Sequence, residues 1–265
     1  MPRIRLDADG PVTTIRLDHP PMNAFDSEQR DELATAVRRL ADTRDVRAVV
    51  LYGGERLFAA GADIKALAAL KSDEARAWNR ALQRTFDEVA RLPMPVVAAI
   101  TGYALGGGLE LALCADYRVA ADDVVLGQPE VQLGLMPGSG GTQRLVRLIG
   151  PSRAKNLLMT GRRVRADEAL RLGLVDEVVP TGSAYDAALD YARRLAEGPA
   201  AALEAIKVAV DYGADISVSA GLALERSLFA EVFGTPDAAT GIQSFLEHGP
   251  GHARFGDVDR KGEGE

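Results

Sequence analysis

The sequence has little of the side-chain chemistry on which many enzymes depend. Its 265 residues include one cysteine and three histidines, and the histidines lie near the chain ends, at His19, His248 and His252. A single cysteine excludes an internal disulfide, an all-cysteine zinc site and a CxxC redox pair, and it favours a reducing compartment. Because no histidine occurs from Pro20 to Glu247, acid–base chemistry in mid-chain must use carboxylates, lysines, tyrosines or main-chain groups. Ser-His-Asp triads and HExxH zinc sites are therefore disfavoured.

The sequence also lacks the marks of membrane and nucleic-acid-binding proteins. No apolar run reaches the roughly 18 residues of a membrane span, and residues 1–7 lack the apolar region of a signal peptide. The formal net charge is −7, and arginines alternate with acidic residues over 74–88, as on a solvated helix face. These absences predict a cytoplasmic protein with neither a membrane nor a nucleic-acid partner.

The residues that are present predict an α/β fold in the first part of the chain. Hydrophobic residues make up 47% and charged residues 26%, as in an ordinary globular protein. Asp26 or Ser27 is expected to cap a first helix. The predicted strands are Ile4–Asp7, Val12–Leu17, Val46–Leu51, Pro95–Thr101, Tyr117–Ala120 and Val124–Leu126. Helical patterns between these runs indicate helices packed outside sheets.

The chain becomes almost entirely helical after Gly141, where Val175–Val179 is the one predicted strand. The predicted helices are Thr142–Ile149, Ser152–Met159, Ala166–Leu172, Ala184–Ala196, Ala201–Val210, Ser217–Phe233 and Pro236–Leu246. A composition shift near residues 197–199 predicts a core over 1–197 and a helical region over 198–265. So short a region buries too little surface to fold alone, so we expect it to pack against the first part of the chain or another subunit.

Three glycine-containing segments, residues 58–65, 102–110 and 127–142, are each predicted to be a turn that leads into a helix. Glycine lets the main chain approach a ligand closely, and free N–H groups at a helix start attract negative charge. None of the segments matches a phosphate loop, a dinucleotide-binding fingerprint or the GxSxG nucleophile turn. Any one of them alone could be no more than a tight turn, but three in one chain favour a ligand site.

Two glutamates beside these turns are the candidate acid–base residues. Glu110 has apolar neighbours on a predicted helix, Leu109–Ala115, without a polar face of its own, so the helix should be buried all round. Burial raises the pKa of a carboxyl group and thereby suits it to acid–base catalysis near neutral pH. Glu130 lies in a turn among apolar residues. The structural alternatives are a buried salt bridge for Glu110 and a surface turn for Glu130.

The sequence resembles the enoyl-CoA hydratase (crotonase) family over residues 23–255. The most specific blocks are residues 59–63 (AAGAD), 102–108 (GYALGGG) and 137–145 (PGSGGTQRL). This resemblance implies an α/β fold in which a spiral of ββα units precedes a C-terminal helical trimerisation region. It also implies a homotrimer or a homohexamer and a role in fatty-acid β-oxidation.

The resemblance further implies a reaction and the residues for it. The main-chain N–H groups of Ala62 and Gly107 would form an oxyanion hole for a thioester carbonyl. Glu110 and Glu130 match both catalytic glutamates of the hydratases, which add water to a trans-2-enoyl-CoA and give a 3-hydroxyacyl-CoA. Relatives that only move a double bond often keep one glutamate, so the pair favours hydration. The alternatives are a double-bond isomerase, a hydratase or dehydratase of a specialised acyl-CoA, and a non-catalytic acyl-CoA or RNA binder.

The acyl-CoA substrate is the implied partner, and neither a metal nor a separate cofactor is expected. The residues implied to border the CoA part of the substrate are Ala60, Asp63, Ile64, Lys65 and Phe229. Lys65 could instead be a solvated lysine at a helix start, and Phe229 could be core. Trp78 and Phe86 are core or acyl-pocket candidates, and Cys114 is expected to be packing. The sequence departs from the family at 248–250 (HGP) and 19–21 (HPP), where a lysine is usual, which leaves the contacts to the CoA phosphates open.

Overall fold

Short strands in two sheets make up the centre of the molecule in the computed structural model, which describes residues 2–255. The strands are β1 Ile4–Asp9, β2 Val12–Leu17, β3 Ala48–Tyr52, β4 Val96–Ile100, β5 Tyr103–Leu105, β6 Tyr117–Ala121, β7 Val125–Gly127, β8 Arg163–Arg165 and β9 Glu177–Val179. The larger sheet has the order β1-β2-β3-β4-β6-β9, and the smaller one has the order β5-β7-β8. In the larger sheet β1 and β2 are antiparallel and the other neighbours are parallel.

Helices follow the strands and then replace them toward the C-terminus. They are α1 Ser27–Ala41, α2 Ile64–Ala68, α3 Ser72–Ala90, α4 Gly107–Ala112, α5 Gly141–Ile149, α6 Pro151–Thr160, α7 Ala166–Leu172, α8 Ala184–Ala196, α9 Ala200–Gly213, α10 Val218–Phe233 and α11 Pro236–His248, with a 3₁₀ helix at Pro129–Leu133. Asp26 caps α1, since its side chain accepts a hydrogen bond from Gln29 N at 2.9 Å. Within the described residues no helix has both the length and the hydrophobicity needed to cross a membrane.

The strands alternate between the two sheets in a repeating ββα order. β4 lies in the larger sheet, β5 in the smaller one, and α4 follows. β6 and β7 repeat this pattern before the 3₁₀ helix and α5. Because each strand pair ends at a turn into a helix, the polar groups of successive turns gather on one side of the molecule.

The larger sheet is buried on both faces, as its β-branched runs predict. Side chains of β3 and β4 alternate between two apolar clusters. Val49 and Leu51 join the main core, whereas Val50 and Tyr52 join a second cluster with residues of α8. β3 and β4 are buried along their whole length, so this part of the fold is a rigid base for the turns that follow it.

All seven predicted strands and all predicted helices are present, most with bounds within a few residues of those expected. The largest difference at the candidate site concerns α4, which begins at Gly107 and ends at Ala112 instead of spanning 109–115. α2 begins where the first glycine segment was predicted to lead into a helix, whereas β5 and β8, of three residues each, were not predicted. Elements this short give no periodic hydrophobic signal.

The C-terminal helices α9, α10 and α11 contain no buried residue among those described. Their exposed apolar side chains are Ile206, Val210, Tyr212, Val218, Leu222, Phe229, Phe233, Ile242, Phe245 and Leu246. A helical region without a core of its own agrees with the sequence interpretation. The boundary between residues 197 and 198 stays a prediction, and residues 256–265 of the second region lie outside the described residues.

Candidate active site

The first two glycine turns lie against each other. Ala59 pairs with Ala104, since Leu105 N donates to Ala59 O at 3.0 Å and Ala59 N donates to Tyr103 O at 3.1 Å. Gly61 has φ +96°, a conformation that favours glycine. A Cβ at Gly61 would also lie 3.3 Å from the nitrogen of Gly107. The residues after Gly61 therefore run directly beside the start of α4.

Two main-chain N–H groups are free at this contact. Within residues 2–255, neither the amide of Ala62 nor that of Gly107 donates a hydrogen bond to the protein. Gly107 is the first residue of α4, where a helix leaves its N–H groups without internal partners. A Cβ at Gly107 would lie 3.7 Å from Ala62 N, so the two donors are close neighbours. Such a pair can stabilise a negatively charged oxygen.

Glu110 is buried in α4, with 3% of its surface exposed. Its Oε1 accepts hydrogen bonds from Ser139 N at 2.7 Å and from Gly141 N at 2.8 Å. Every residue of α4 is buried, as predicted from the absence of a polar face. Burial raises the pKa of Glu110, and the two amides and the charge of Arg144 oppose that rise.

Main-chain amides, and not a salt bridge, hold the Glu110 carboxylate. In the described part of the chain no lysine, arginine or histidine nitrogen lies within ion-pair distance of it. The third glycine turn supplies both donors, because Ser139 and Gly141 stand at the start of α5. A Cβ at Gly141 would lie 3.0 Å from Glu110 Oε1, so glycine is required there for the carboxylate to reach the turn.

Glu130 lies in the first turn of the 3₁₀ helix and is half-buried, so it is not a surface turn residue. A Cβ at Gly106 would lie 3.0 Å from Glu130 Oε1, which puts this carboxylate beside the start of α4. Burial raises the pKa of Glu130 to about 7, and the negative charge of Glu110 adds to the rise. Such a group exchanges protons readily near neutral pH.

Gln128 binds Glu130 and lies near Glu110, and the sequence interpretation missed it. Its side chain is fully buried. With the amide oriented to satisfy its neighbours, it donates to Glu130 Oε1 at 2.9 Å and to Oε2 at 3.2 Å. In that orientation the amide oxygen of Gln128 lies 3.0 Å from the position of a Cβ at Gly141, and Glu110 Oε1 lies equally close to the same point. The two carboxylates therefore share one polar pocket. The feature of the sequence that could have identified Gln128 is its position two residues before Glu130.

The segment with the proposed CoA contacts borders the pair of free amides. Ala60 is half-buried, and its N–H donates to Met22 O at 3.0 Å. Asp63 caps α2 by accepting from Lys65 N at 2.8 Å and Ala66 N at 3.2 Å. Ile64 and Lys65 are exposed, which both interpretations of Lys65 allow. The structure thus brings together Ala60, Asp63, Ile64 and Lys65 beside Ala62, at the edge of the site.

Other sequence candidates lie outside the pocket. Phe86 is fully buried and meets Phe25 edge to face at 5.3 Å, so it belongs to the core. Trp78 is partly buried against the same core. Phe229 is 69% exposed on α10 and stacks on Phe233, so it is not packed in the core of its own chain, and its predicted contact with CoA stays a prediction.

Cysteine and histidine side chains have no acid–base role in this arrangement. Burial raises the pKa of Cys114 to about 12, and its thiol donates to the main-chain oxygen of Glu110 at 3.2 Å. Packing is therefore its function, as expected. His19 Nδ1 lies 3.0 Å from Ala24 O and 3.1 Å from Gln29 Oε1. His248 is exposed in the last turn of α11 beside Glu247.

Comparison with known proteins gives consistent matches over most of the chain. The family model described as enoyl-CoA hydratase/isomerase matches residues 7–256. The probable enoyl-CoA hydratase EchA17 of Mycobacterium tuberculosis (strain H37Rv) is 44% identical over 225 residues, which are 85% of this chain and 86% of that protein. The probable enoyl-CoA hydratase echA8 of Mycobacterium tuberculosis (strain CDC 1551) is 40% identical over 245 residues, which are 92% of this chain and 95% of that protein.

Solved structures of enoyl-CoA hydratases also match this chain over most of its length. The crystal structure of an enoyl-CoA hydratase from Bacillus anthracis superposes with a TM-score of 0.89 at 38% identity and covers 92% of this chain and 96% of that one. One from Geobacillus kaustophilus HTA426 has a TM-score of 0.88 at 40% identity, with 92% of this chain and 95% of that chain covered. The predicted α/β spiral of ββα units with C-terminal helices is confirmed.

Proposed function

The chain belongs to the enoyl-CoA hydratase/isomerase family, and we propose that it is a hydro-lyase that adds water across the 2,3 double bond of trans-2-enoyl-CoA thioesters. One observation supports this function above others. Glu110 and Glu130 occupy one pocket, with Gln128 bound to Glu130, beside the two free amides of Ala62 and Gly107. Hydration needs an acid, a base and a site for a developing oxyanion, and this pocket has all three.

The proposed reaction begins with polarisation of the thioester. Its carbonyl oxygen accepts hydrogen bonds from the amides of Ala62 and Gly107, which makes C3 of the enoyl group electrophilic. Glu110 takes a proton from water as the water oxygen bonds to C3, and negative charge moves onto the carbonyl oxygen. The preorganised amides stabilise this enolate by up to about 3–4 kcal/mol for each donor.

The second proton comes from Glu130. In its neutral form it delivers a proton to C2, the carbonyl re-forms, and the product is a 3-hydroxyacyl-CoA. This leaves Glu110 protonated and Glu130 ionised, so Glu110 releases its proton to solvent and Glu130 takes one up when the product leaves. A pKa of about 7 for Glu130 keeps a useful protonated fraction near neutral pH. The atoms of one water are added with no change of oxidation state, so we propose that neither a metal nor a redox cofactor takes part.

For the CoA part of the substrate, the proposed contacts are Ala60, Asp63, Ile64 and Lys65, which border the amide pair. Asp63 is already used as a helix cap, so its contribution is to shape the main chain that meets the thioester. The family resemblance places Phe229 where relatives supply an aromatic side chain to the CoA site of a neighbouring subunit; we propose the same role here, which its exposure on α10 allows. The substrate and product are those of fatty-acid β-oxidation, for which we propose a cytoplasmic location.

We propose that the chain assembles as a trimer or as a pair of trimers. The exposed apolar side chains of α9, α10 and α11 need a cover that the described part of the chain does not provide. Light scattering at micromolar concentration should therefore give three or six times the mass of one 28.1 kDa chain. A mass of one chain would contradict the assembly and would leave the exposed apolar side chains unexplained.

The decisive test of the proposed function is product analysis over a panel of short-, medium- and long-chain trans-2-enoyl-CoAs and 3-enoyl-CoAs. Hydration adds the mass of one water to the 2-enoyl-CoAs, whereas a double-bond isomerase converts 3-enoyl-CoAs without a mass change. Water addition that depends on the protein, with a preferred chain length, is the expected result. Isomerisation without hydration would favour a double-bond isomerase. A protein that converts none of the thioesters in the panel would contradict the proposal.

A further inference from the structure

The turn of residues 138–141, which binds the Glu110 carboxylate, packs against α3. Asn79, Gln83 and Asp87 are spaced four residues apart and lie on one face of this helix. Gln83 Nε2 donates to Gly138 O at 2.5 Å, and a Cβ at Gly138 would collide with Asn79 Oδ1. α3 therefore contacts the chain immediately before Ser139, one of the two amides that hold the Glu110 carboxylate.

Arg144 is the second link between this turn and α3. Its Nη2 donates to Asp87 Oδ1 at 2.6 Å. Its main-chain N donates to Gly140 O at 2.8 Å, and the side chain folds back, so that a Cβ at Gly140 would lie 3.1 Å from Arg144 Nε. The guanidinium thus lies against Gly140, whose peptide bond to Gly141 supplies an N–H that holds Glu110 Oε1.

The burial of Arg144 Nε needs an explanation beyond the ion pair with Asp87. Within residues 2–255 this nitrogen is buried without a hydrogen-bond partner, which costs free energy. If Arg144 served only to link α5 to α3, it could bind Asp87 while its Nε remained hydrated by solvent. Its position against Gly140 instead places a positive charge beside the turn that holds the buried Glu110 carboxylate.

We propose that Arg144 is a positioning residue for the hydration reaction: its guanidinium, held against Gly140 by Asp87, places a positive charge beside the turn that holds Glu110, the base of the reaction. This inference rests on the proposed function. Glu130 on the 3₁₀ helix and Cys114 after α4 also interact with the charge of Glu110, and Asp87 on α3 and Lys207 on α9 act on Cys114. The charge of Arg144 acts on Asp211 of α9 as well. Among the charges that act on Glu110, that of Arg144 favours ionisation.

The two halves of the Arg144–Asp87 ion pair should behave differently when they are replaced. Arg144→Gln removes the cation, so the pKa of Glu110 rises and the acid limb of the kcat/KM profile moves to higher pH, by about half to one unit. Below that limb the rate falls about threefold to tenfold against the wild type. Arg144→Lys retains the charge and should recover most of the loss. Asp87→Asn leaves the cation and removes an anion, so the acid limb should stay or move to lower pH.

A matched control lies one turn farther along α5. Arg147 pairs with Asp215 at 2.7 Å and has no contact with the turn that holds Glu110, so Arg147→Gln should leave the pH profile unchanged. If Arg144 only ties two helices together, Arg144→Gln and Asp87→Asn will lower the melting temperature alike and the acid limb will not move. That result would overturn the inference.

A second measurement does not depend on turnover. The side-chain carboxyl carbon of Glu110 can be titrated by ¹³C NMR in protein labelled at glutamate, where its signal is identified by its loss in Glu110→Gln. The Arg144→Gln variant should titrate at higher pH than the wild type. Equal titration in both proteins would contradict the inference, whatever the enzyme assay shows. If the shift is present but no enoyl-CoA is hydrated, the proposed function fails and the electrostatic link between Arg144 and Glu110 stands.

Discussion

Replacing Glu110 by glutamine is expected to lower kcat/KM for hydration of a trans-2-enoyl-CoA by about 10²- to 10⁴-fold, the usual contribution of a positioned general base. Glutamine has nearly the same shape, and its oxygen can still accept from Ser139 N and Gly141 N, which hold Glu110 Oε1. The amide cannot take a proton from water, so the bond from water to C3 must form without a base. Initial rates with the preferred member of the panel measure this loss.

The loss should be chemical and not structural. An uncharged glutamine removes a carboxylate whose ionisation burial already disfavours, so the variant should be at least as stable as the wild type. Product binding, measured by calorimetry with a 3-hydroxyacyl-CoA, should change little. Cys114→Ala is the matched control, because Cys114 lies four residues away on the same buried segment and does not face the reaction. Glu110→Gln with a wild-type rate and an intact fold would reject the mechanism.

The sequence predicted the central features of the pocket because they follow from local rules. A glutamate on a helix without a polar face had to be buried, and Glu110 is. Three glycine turns before predicted helices had to expose N–H groups, and α2, α4 and α5 begin at them. The roles of Ala62 and Gly107 came from the family resemblance, since a main-chain donor leaves no side-chain signature, and these roles stay a prediction.

The partners of these groups could not be predicted, because they depend on tertiary contacts between distant parts of the chain. Nothing near Glu110 in the sequence indicates that Ser139 and Gly141 donate to it. Gln128 was missed because a buried glutamine resembles any turn residue until Glu130 is seen beside it. Asp87, which binds Arg144, belongs to the charged run that predicted a solvated helix face. Gln83, which binds Gly138, gave no signal in the sequence.

Gly107→Pro is expected to lower kcat for hydration by about 10²- to 10³-fold, because it deletes one of the two oxyanion donors. The backbone can accommodate proline there. Gly107 is the first residue of α4, a position where proline fits a helix and where no internal hydrogen bond is lost. A Cβ at Gly107 meets Gly61 Cα at 3.6 Å and Ala62 N at 3.7 Å, which are ordinary contacts. The ring replaces the N–H with a CH₂ group that points at the thioester oxygen.

Gly107→Ala is the control that separates the donor from the shape of the turn. Alanine adds the same Cβ and keeps the N–H, so its kcat should stay within about tenfold of the wild type, a smaller change than the loss of an oxyanion donor. Circular dichroism and melting temperature should be close for the two variants. The proline variant should also lose its preference for an enolate-like inhibitor over a ground-state thioester, since the missing hydrogen bond is strongest when the oxygen is charged. If proline and alanine at this position are equally active, the amide of Gly107 takes no part in the reaction, and the oxyanion must be stabilised elsewhere.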